Sequence, residues 1–389
     1  MSEKEIMGML INTRYENSMT SKELKKERKF IFISIFSLTL FGILMVYEAS
    51  GIYAFKETSD AAFFLKRQLS FLFVGLIFFY IFLFLDLNVL RRYNKSILVL
   101  TILSLIGLFI YGNKAGGARR WLSLFGVNIQ PSELLKISFL LYTADYCNRK
   151  NKLIKNIRYG LLPLGLVLGL ICILLVSQPD LGTSIFWVLW TILFVFIWGA
   201  KLKHLASVAL LGSIGLFFLI TLYPYRFRRI TAYLNPFADS QGAGFQLVQS
   251  QIAYGVGGLL GVGFGESRQK LFFLPAAHTD FIYSIIAEEF GLLGALGILF
   301  IFIILFYKMI KISNDAKDNF KKGILSGITL IFGLEVILNI GVSCGLFPTK
   351  GLSLPFISYG GSNLVVHYIL LGLFFNASKK EDKSFNNFR

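Results

Sequence analysis

The chain is poor in the residues on which most soluble enzymes and secreted scaffolds depend. Only 16% of its 389 residues are charged, and it holds three cysteines, three histidines and eight prolines. Cys147, Cys172 and Cys344 show no metal-ligand spacing; they are odd in number and two lie in apolar runs, so we interpret them as small apolar residues. The chain is instead 55% hydrophobic with 40 phenylalanines and a mean hydropathy of +0.65. This composition excludes an ordinary soluble protein.

Long apolar runs recur along the chain and predict an all-α polytopic membrane protein. About 17 to 25 apolar residues suffice for a helix to cross a bilayer. The fourth run is the weakest, because it is short and contains Glu133, Lys136 and Asp145. We predict a membrane domain over residues 30–376, with tails at 1–29 and 377–389 and a large loop at 224–280 between spans seven and eight. The ten predicted spans are 30–47, 69–87, 96–111, 131–146, 161–176, 182–200, 205–223, 281–309, 323–346 and 354–375.

The distribution of positive charge predicts how these spans are oriented. Lys and Arg prefer the cytoplasmic side of short loops. With the N-terminus inside, the cytoplasmic segments hold 26 of them and the external loops hold 12. We therefore expect both termini in the cytoplasm and loop 224–280 outside. The formal charge of +17 then reflects orientation and contacts with anionic lipids, and no nucleic-acid partner is expected.

The predicted external loop 224–280 begins with three arginines, Arg226, Arg228 and Arg229, beside aromatic residues. They run against the positive-inside bias, so they are either anchors for lipid headgroups or a site for phosphates. Six glycines follow between positions 255 and 265. No predicted strand precedes them, which excludes a dinucleotide-binding fingerprint. They predict a short helix or re-entrant segment that packs closely against the spans.

The most informative polar residues lie at the start of the eighth span. His278, Thr279 and Asp280 precede it, and Glu288 and Glu289 lie inside it. Carboxylates at membrane depth are costly and usually functional. Asp280 alone would more often be a helix cap than a catalyst, but the basic loop and the two glutamates favour a cavity. On a helical wheel Glu288 lies about 80° from Asp280, so Glu288 is the carboxylate expected nearest to it.

Glu133, Asp180 and Glu335 are further candidate carboxylates in or beside other predicted spans. Glu133 and Lys136 are three residues apart on one helical face, so mutual pairing is one explanation for both. Asp180, in the turn at 178–183, is either a helix cap or part of a polar site. Glu335 lies in the middle of the ninth span and must pair or face water; we expect a structural role inside the protein.

These clusters resemble the signature segments of the SEDS family (shape, elongation, division and sporulation) over about residues 30–376. The doubled Arg119-Arg120 and the turn at 348–351 resemble the division branch more than the elongation branch. Ala276 and Asn363 depart from the common family pattern, in which Glu and Ser are usual. The segments that carry the resemblance are 117–121, 130–136, 178–183, 278–281, 347–351 and 354–362.

The resemblance implies a ten-helix enzyme that polymerises Lipid II, a disaccharide on a polyprenyl pyrophosphate, into peptidoglycan glycan strands. It implies a class B penicillin-binding protein, which crosslinks the product, as a partner, together with other division proteins. The expected location is the bacterial cytoplasmic (inner) membrane at the division septum. A flippase that transports Lipid II, an elongation polymerase and a catalytically idle scaffold remain alternatives. The external position of most polar clusters favours the polymerase, because transport needs a polar path that reaches both sides.

The resemblance also implies roles for individual residues. Asp280 is implied as the catalytic base, and we expect burial and Glu288 to raise its pKa from the usual value near 3.9. A divalent cation, Mg²⁺ or Mn²⁺, is a further option for stabilising the pyrophosphate. The expected substrate-binding residues are Arg120, Trp121, Lys136, Arg226, Lys270 and Lys350, and the expected supporting residues are Glu133, Asp180, His278, Glu288 and Ser358.

Overall fold

The protein is a bundle of long apolar helices. Its computed structural model describes residues 19–379 apart from 116–117, 125–126, 243 and 276. Short helical turns at Ile157–Leu161, Pro236–Asp239 and Gln269–Phe273 connect some of the longer helices. In chain order the helices are α1 (Ser21–Thr58), α2 (Phe63–Phe84), α3 (Leu87–Tyr111), α4 (Pro131–Arg149), α5 (Leu162–Ser177), α6 (Leu181–Ile197), α7 (Leu202–Thr221), α8 (Pro224–Leu234), α9 (Phe245–Gly257), α10 (Ile282–Asp315), α11 (Asn319–Ser343) and α12 (Gly361–Ala377).

The predicted multi-pass helical membrane protein is confirmed, and each predicted span corresponds to one of α1–α7 or α10–α12. Among the described residues, seven helices are long and apolar enough to cross a membrane, and α6 and α12 are shorter apolar helices. The exact number of ten crossings stays a prediction. Helix α1 begins at Ser21, inside the predicted tail, where Thr20 caps it by accepting a hydrogen bond from the Glu23 amide at 3.2 Å. The tail segments 1–18 and 380–389 lie outside the described residues.

Successive long helices run in opposite directions and give the bundle two ends. One end, here called the loop end, carries the described residues of five connections: α1 to α2, α3 to α4, α5 to α6, α7 to α10, and α11 to α12. At the opposite end, Lys308 pairs with Glu27 at 2.5 Å and joins α10 to α1. The described residues of the signature segments lie at the loop end or in the first turns of the helices that start there.

Helix α4, the weakest predicted span, is buried in the centre of the bundle against α11 and α3. Most of its residues are inaccessible, including Lys136 and Asp145. The Asp145 carboxylate accepts hydrogen bonds from Arg91 at 3.0 Å and Arg149 at 2.9 Å. Because its charges are paired inside the protein, this helix does not need a wholly apolar surface to lie among membrane spans.

A three-stranded antiparallel sheet between α3 and α4 is the departure from an all-helical chain. It consists of β1 (Asn113–Ala115), β2 (Ala118–Leu124) and β3 (Val127–Ile129) in the order β1-β2-β3. Side chains alternate along a strand, so β2 directs Arg120 and Trp121 to opposite faces. The Ser362 hydroxyl donates to the Asn128 carbonyl at 3.1 Å and ties the sheet to the start of α12.

Helix α10 is interrupted at Gly291, and the glycine-dense segment packs against the break. Gly291 has φ 67° and ψ −168°, a conformation open almost only to glycine. A Cβ on Gly261 would clash with the Glu289 carbonyl. The six glycines lie at the end of α9 and in the segment that follows it. The predicted close packing of this region against a span, here α10, is confirmed. Four backbone hydrogen bonds join the two segments: Val262 to Glu288, Gly263 to Glu289, Leu292 to Gly258 and Leu293 to Leu259, at 2.9–3.2 Å.

Candidate active site

Asp280 lies at the loop end, immediately before α10 but outside it. The helix begins at Ile282 with Phe281 as its N-cap, and no side chain caps it, so the alternative of Asp280 as a helix cap is wrong. The Asn339 amide of α11 donates to the Asp280 carbonyl at 2.9 Å and to the Leu352 carbonyl at 2.5 Å. Helix α11 therefore fixes the Asp280 backbone against the segment that leads to α12.

The segment before α12 holds the two residues that precede Asp280. The Ser358 hydroxyl donates to the Thr279 carbonyl at 2.6 Å and accepts from the Leu354 amide at 2.8 Å. The Tyr359 amide donates to the His278 carbonyl at 2.9 Å. Ser358 thus fixes the backbone one residue before Asp280, and its supporting role stays a prediction.

The Asp280 carboxyl is half-buried and has two cationic neighbours. Burial raises the pKa of Asp280 to about 6, while the nearby guanidinium groups of Arg120 and Arg229 act in the opposite direction. Burial therefore has the larger effect, as expected for a carboxylate moved out of water. A Cβ on Gly351 would come within 3.0 Å of the Asp280 carboxylate, so a glycine there leaves room for the side chain.

Backbone carbonyls at the loop end hold the two arginines in place. Arg120, on β2, donates to the Gln178 carbonyl at 3.4 Å and also to the Pro179 carbonyl. Arg229, on α8, donates to the Thr349 carbonyl at 3.5 Å. The site thus gathers β2, α8 and the turns at 178–183 and 347–351.

Lys350 places a buried ammonium group at the site. Its ammonium nitrogen is inaccessible and has no hydrogen-bond partner among the described residues. It lies 5.7 Å from the centre of the Phe186 ring, and a Cβ on Gly182 would clash with its side chain. Burial lowers the pKa of Lys350 to about 7, and the Asp180 carboxylate opposes that shift. Asp180 is also the N-cap of α6, one of the two alternatives for this residue, and it accepts from the Thr183 hydroxyl at 2.9 Å and amide at 3.2 Å.

A chain of buried ion pairs extends from the site into the bundle. Lys136 pairs with Glu133 at 2.5 Å and with Glu335, whose other oxygen lies 2.8 Å from Nε2 of His367. The predicted pairing of Glu133 with Lys136 and the interior position of Glu335 are both confirmed. Two carboxylates compensate the Lys136 charge, whereas no ion pair of Lys350 is found among the described residues.

Two residues predicted to bind substrate have partners elsewhere. Lys270 pairs with Glu48 of α1 and lies 3.5 Å from Glu289, so its charge is used inside the protein. Arg226 donates to the carbonyls of Leu219 and Val176, at the ends of α7 and α5, at 3.3 and 3.5 Å.

The expected approach of Glu288 to Asp280 is wrong. Glu288 accepts hydrogen bonds from the Ser267 hydroxyl and from the amides of Arg268 and Gln269, and so holds the loop at 267–269. The 80° estimate assumed one continuous helix, but Asp280 precedes the first helical residue.

His278 lies among aromatic rings. Its ring centre is 4.7 Å from that of Phe64 and 5.7 Å from that of Tyr359. Burial lowers the pKa of His278 to about 4, so the imidazole is neutral at pH 7. Among the described residues no group of three or more His, Cys, Asp or Glu side chains is placed to hold a metal ion. Ala276, one of the two departures from the family pattern, lies outside the described residues.

Two residues that hold the site were not predicted. The Gln68 amide donates to the Ser358 carbonyl at 3.3 Å, and its oxygen accepts from the Gly360 amide at 3.4 Å. Asn339 is the other, and its signal was present: a polar amide within an apolar span needs a partner, by the argument that was applied to Glu335.

Comparison with known proteins identifies the group to which this arrangement belongs. Residues 28–383 match the FtsW/RodA/SpoVE family model, described as "Cell cycle protein". The chain belongs to this family. It is 40% identical over 350 residues to the probable peptidoglycan glycosyltransferase FtsW of Trichlorobacter lovleyi, covering 90% of this chain and 92% of that protein. It is 38% identical over 364 residues to stage V sporulation protein E of Bacillus subtilis, covering 93% and 99%.

Solved structures of the FtsW/RodA/SpoVE family share the fold. A chain from a study titled "Structural coordination of polymerization and crosslinking by a peptidoglycan synthase complex" superposes with a TM-score of 0.72 at 26% identity, covering 90% of this chain and 96% of that one. RodA of Thermus thermophilus superposes with a TM-score of 0.65 at 25% identity, covering 90% and 95%.

Proposed function

We propose that this FtsW/RodA/SpoVE protein is a peptidoglycan glycosyltransferase that polymerises Lipid II into glycan strands during cell division. The division role is supported by relatives named FtsW at 38–40% identity that span nearly the whole chain. The observation that carries the chemistry is the half-buried Asp280 carboxyl, whose pKa is raised to about 6 beside Arg120 and Arg229. A base with a pKa near the working pH transfers protons most effectively.

In the proposed reaction Asp280 is the general base. The 4-hydroxyl oxygen of the acceptor GlcNAc attacks the anomeric carbon of the donor and forms the new glycosidic bond. The bond from that carbon to the pyrophosphate oxygen breaks, and undecaprenyl pyrophosphate leaves with the electron pair. The Asp280 carboxylate takes the hydroxyl proton, which an amide in its place could not accept.

Arg120, Arg229 and Lys350 supply the positive charge that a pyrophosphate leaving group requires. Two guanidinium groups act on Asp280, and the Lys350 ammonium is buried without a hydrogen-bond partner among the described residues. Donors already oriented toward developing negative charge stabilise a transition state with little reorganisation. Lys136 has a positioning role in this scheme, because Glu133 and Glu335 compensate its charge.

A Mg²⁺ or Mn²⁺ ion enters this proposal only together with the substrate. Such ions are commonly held by one or two carboxylates and by substrate phosphates, so the pyrophosphate would supply most of the ligands. It would add charge stabilisation at the leaving group. No step of the proposed reaction depends on it.

We further propose a class B penicillin-binding protein as the partner, within a larger set of division proteins. A structural relative comes from work on a complex that couples polymerization and crosslinking, which supports such a pairing. The proposed location is the bacterial inner membrane at the septum, with both termini in the cytoplasm and the loop end outside. The charge asymmetry of 26 to 12 supports that orientation.

Asp280→Asn tests the catalytic assignment. The variant keeps the size of the side chain but cannot accept the proton, so we expect strand formation from labelled Lipid II to fall about 10² to 10⁴-fold. The protein should still fold and bind its partner. Asp239→Asn, an exposed change on the same loop, is the matched control and should polymerise normally.

Polymer formation by Asp280→Asn at the wild-type rate would contradict the assignment. The flippase would be favoured if the wild-type protein, with its partner supplied, moved Lipid II across the bilayer of proteoliposomes and made no strands. Wild-type protein that does neither would favour the scaffold.

A further inference from the structure

Six aromatic rings form a continuous cluster next to Asp280 that the proposed reaction does not use. They come from separate segments: the end of α1, the start of α2, the turn at 269–273 and the segments before α10 and α12. His278, two residues before Asp280, lies in contact with three of them, at 4.7 to 5.9 Å between ring centres. The cluster, here called the aromatic patch, consists of Tyr53, Phe63, Phe64, Phe272, His278 and Tyr359.

The aromatic patch is partly open to the surroundings. Tyr53 is 40% exposed and Phe272 is 47% exposed. The Tyr53 ring stacks on Phe64 at 6.1 Å and contacts Phe272 at 6.2 Å, so the exposed and inner rings form one surface. Membrane proteins commonly carry scattered aromatic residues at the interfaces of the bilayer. Here the rings converge from five segments on the residue beside the proposed base, which a belt of separate anchors does not require.

The backbone at Phe272 has a conformation that is unfavourable for a residue with a large side chain. Phe272 adopts φ 69° and ψ 3°, in the left-handed region that a bulky side chain rarely occupies. Glycine or asparagine would be favoured at such a position. Residues held in this conformation cluster at ligand-binding and active sites.

Two cations lie over the outer rings of the patch. The Lys56 ammonium is 4.6 Å from the centre of the Phe272 ring, and the Arg67 guanidinium is 5.3 Å from that of Phe63. Aromatic faces carry partial negative charge and attract cations. The surface therefore combines apolar faces with positive charge at its margin.

We propose that the aromatic patch binds the growing glycan strand as it extends from the active site, an inference that rests on the proposed function. The faces of a pyranose ring carry C–H groups, which pack against aromatic faces through dispersion and the ring quadrupole. A strand whose reacting end lies at Asp280 passes His278 first and then reaches the rings around it. Lys56 and Arg67 suit the acidic substituents of such a strand. By holding the strand between additions, the patch increases the length of the product.

Phe272→Gly and Tyr53→Ala test this inference with two measurements. Phe272→Gly removes a ring and relieves the backbone at the same time, so the variant should fold at least as well as the wild type. The first measurement is the binding of chitotetraose, a soluble β-1,4-linked GlcNAc oligomer, to the purified protein. We expect each variant to bind it about 2- to 10-fold more weakly. The second is the length distribution of strands made from Lipid II, which should shift to shorter products while the initial rate stays close to wild type.

Tyr111→Ala is the matched control. Tyr111 is 77% exposed at the loop end of α3 and lies outside the patch, so its loss should change neither measurement. Tyr53→Trp should restore both, because an indole offers a similar stacking face. Unchanged chitotetraose binding and strand length in both patch variants would overturn the inference and leave the rings as interface anchors. A further outcome is a wild-type protein that makes no strands but binds chitotetraose, with binding weakened only in the patch variants. That result would contradict the polymerase proposal and support the glycan site.

Discussion

At the scale of single residues, Asp280 and Lys350 predict how the activity depends on pH. The pKa of Asp280 is raised to about 6, and a base must be unprotonated to act, so activity falls as the pH drops below that value. The pKa of Lys350 is lowered to about 7, so in the free enzyme its charge is lost as the pH rises above that value. We expect kcat/KM for Lipid II, which reports on the free enzyme, to follow a bell-shaped profile between these two values.

Lys350→Arg separates the two limbs of that profile. A guanidinium stays charged at every pH used, so the alkaline limb should disappear while the acid limb stays. The measurement is the initial rate of strand formation at low Lipid II concentration across the pH range. An acid limb that is absent in the wild type would contradict Asp280 as the base, and an alkaline limb that persists in Lys350→Arg would contradict the role of Lys350.

Gly351 limits how much space the base has. A methyl group at this position would lie 3.0 Å from the Asp280 carboxylate and would push it aside. A displacement of about 1 Å at a reacting group can lower a rate about 10²-fold, so we expect Gly351→Ala to reduce kcat by about tenfold or more. Gly333→Ala, where a Cβ would meet no atom within 4 Å, is the control and should leave the turnover of Lipid II unchanged. Equal turnover in the two variants would contradict the tight fit.

The sequence was sufficient to predict Asp280 as the central residue of the site, but it did not predict which side chains contact one another. Asp280 was found because a carboxylate at the mouth of an apolar span needs a reason to be there. The contact expected from Glu288 failed because a helical wheel is valid only inside a helix, and α10 starts at Ile282. Lys270 was assigned to the site by its charge alone, and sequence does not show that Glu48, more than 200 positions earlier, neutralises it.

At the scale of the elements, apolar length predicted the helices well, because a bilayer demands a run of about 20 residues for each crossing. It could not predict the sheet at 113–129, whose three-residue strands β1 and β3 are too short to show a periodic pattern. The sequence also did not predict the burial of α4. Its Asp145 is compensated in part by Arg91 from another helix, a contact that the sequence does not show.

The interruption of α10 is an element-scale feature that glycine chemistry tests. Gly291 has a positive φ, and a Cβ there would clash with the Gly261 amide. Ala in such a conformation costs about 1 to 3 kcal/mol before the clash is counted, so Gly291→Ala should lower the thermal unfolding temperature. Gly297→Ala, on the same helix with no atom within 4 Å of its Cβ, should leave it unchanged or raise it slightly. Equal unfolding temperatures would show that the interruption is not required.

At the scale of the whole molecule, every site assignment depends on which side of the membrane the loop end faces. The positive charges favour the cytoplasm for the opposite end, by 26 to 12. Three arginines on α8 run against that bias, and two of them have partners that explain the exception. Arg229 donates to the Thr349 carbonyl, and Arg226 to carbonyls at the ends of α5 and α7.

Thiol labelling in spheroplasts decides the orientation. Cys344 is exposed at the loop end, Cys147 is buried, and Cys172 is half-buried within α5. The Cys344→Ser protein therefore supplies the background labelling with which a new thiol is compared. Gln241→Cys, exposed in the loop between α8 and α9, should then react with an impermeant maleimide in intact spheroplasts. Lys152→Cys, exposed between α4 and α5 at the opposite end, should react only after lysis. If the two positions exchanged their behaviour, Asp280 would face the cytoplasm, where no glycan strand could be extended outside the cell, and the polymerase proposal would fall with the topology.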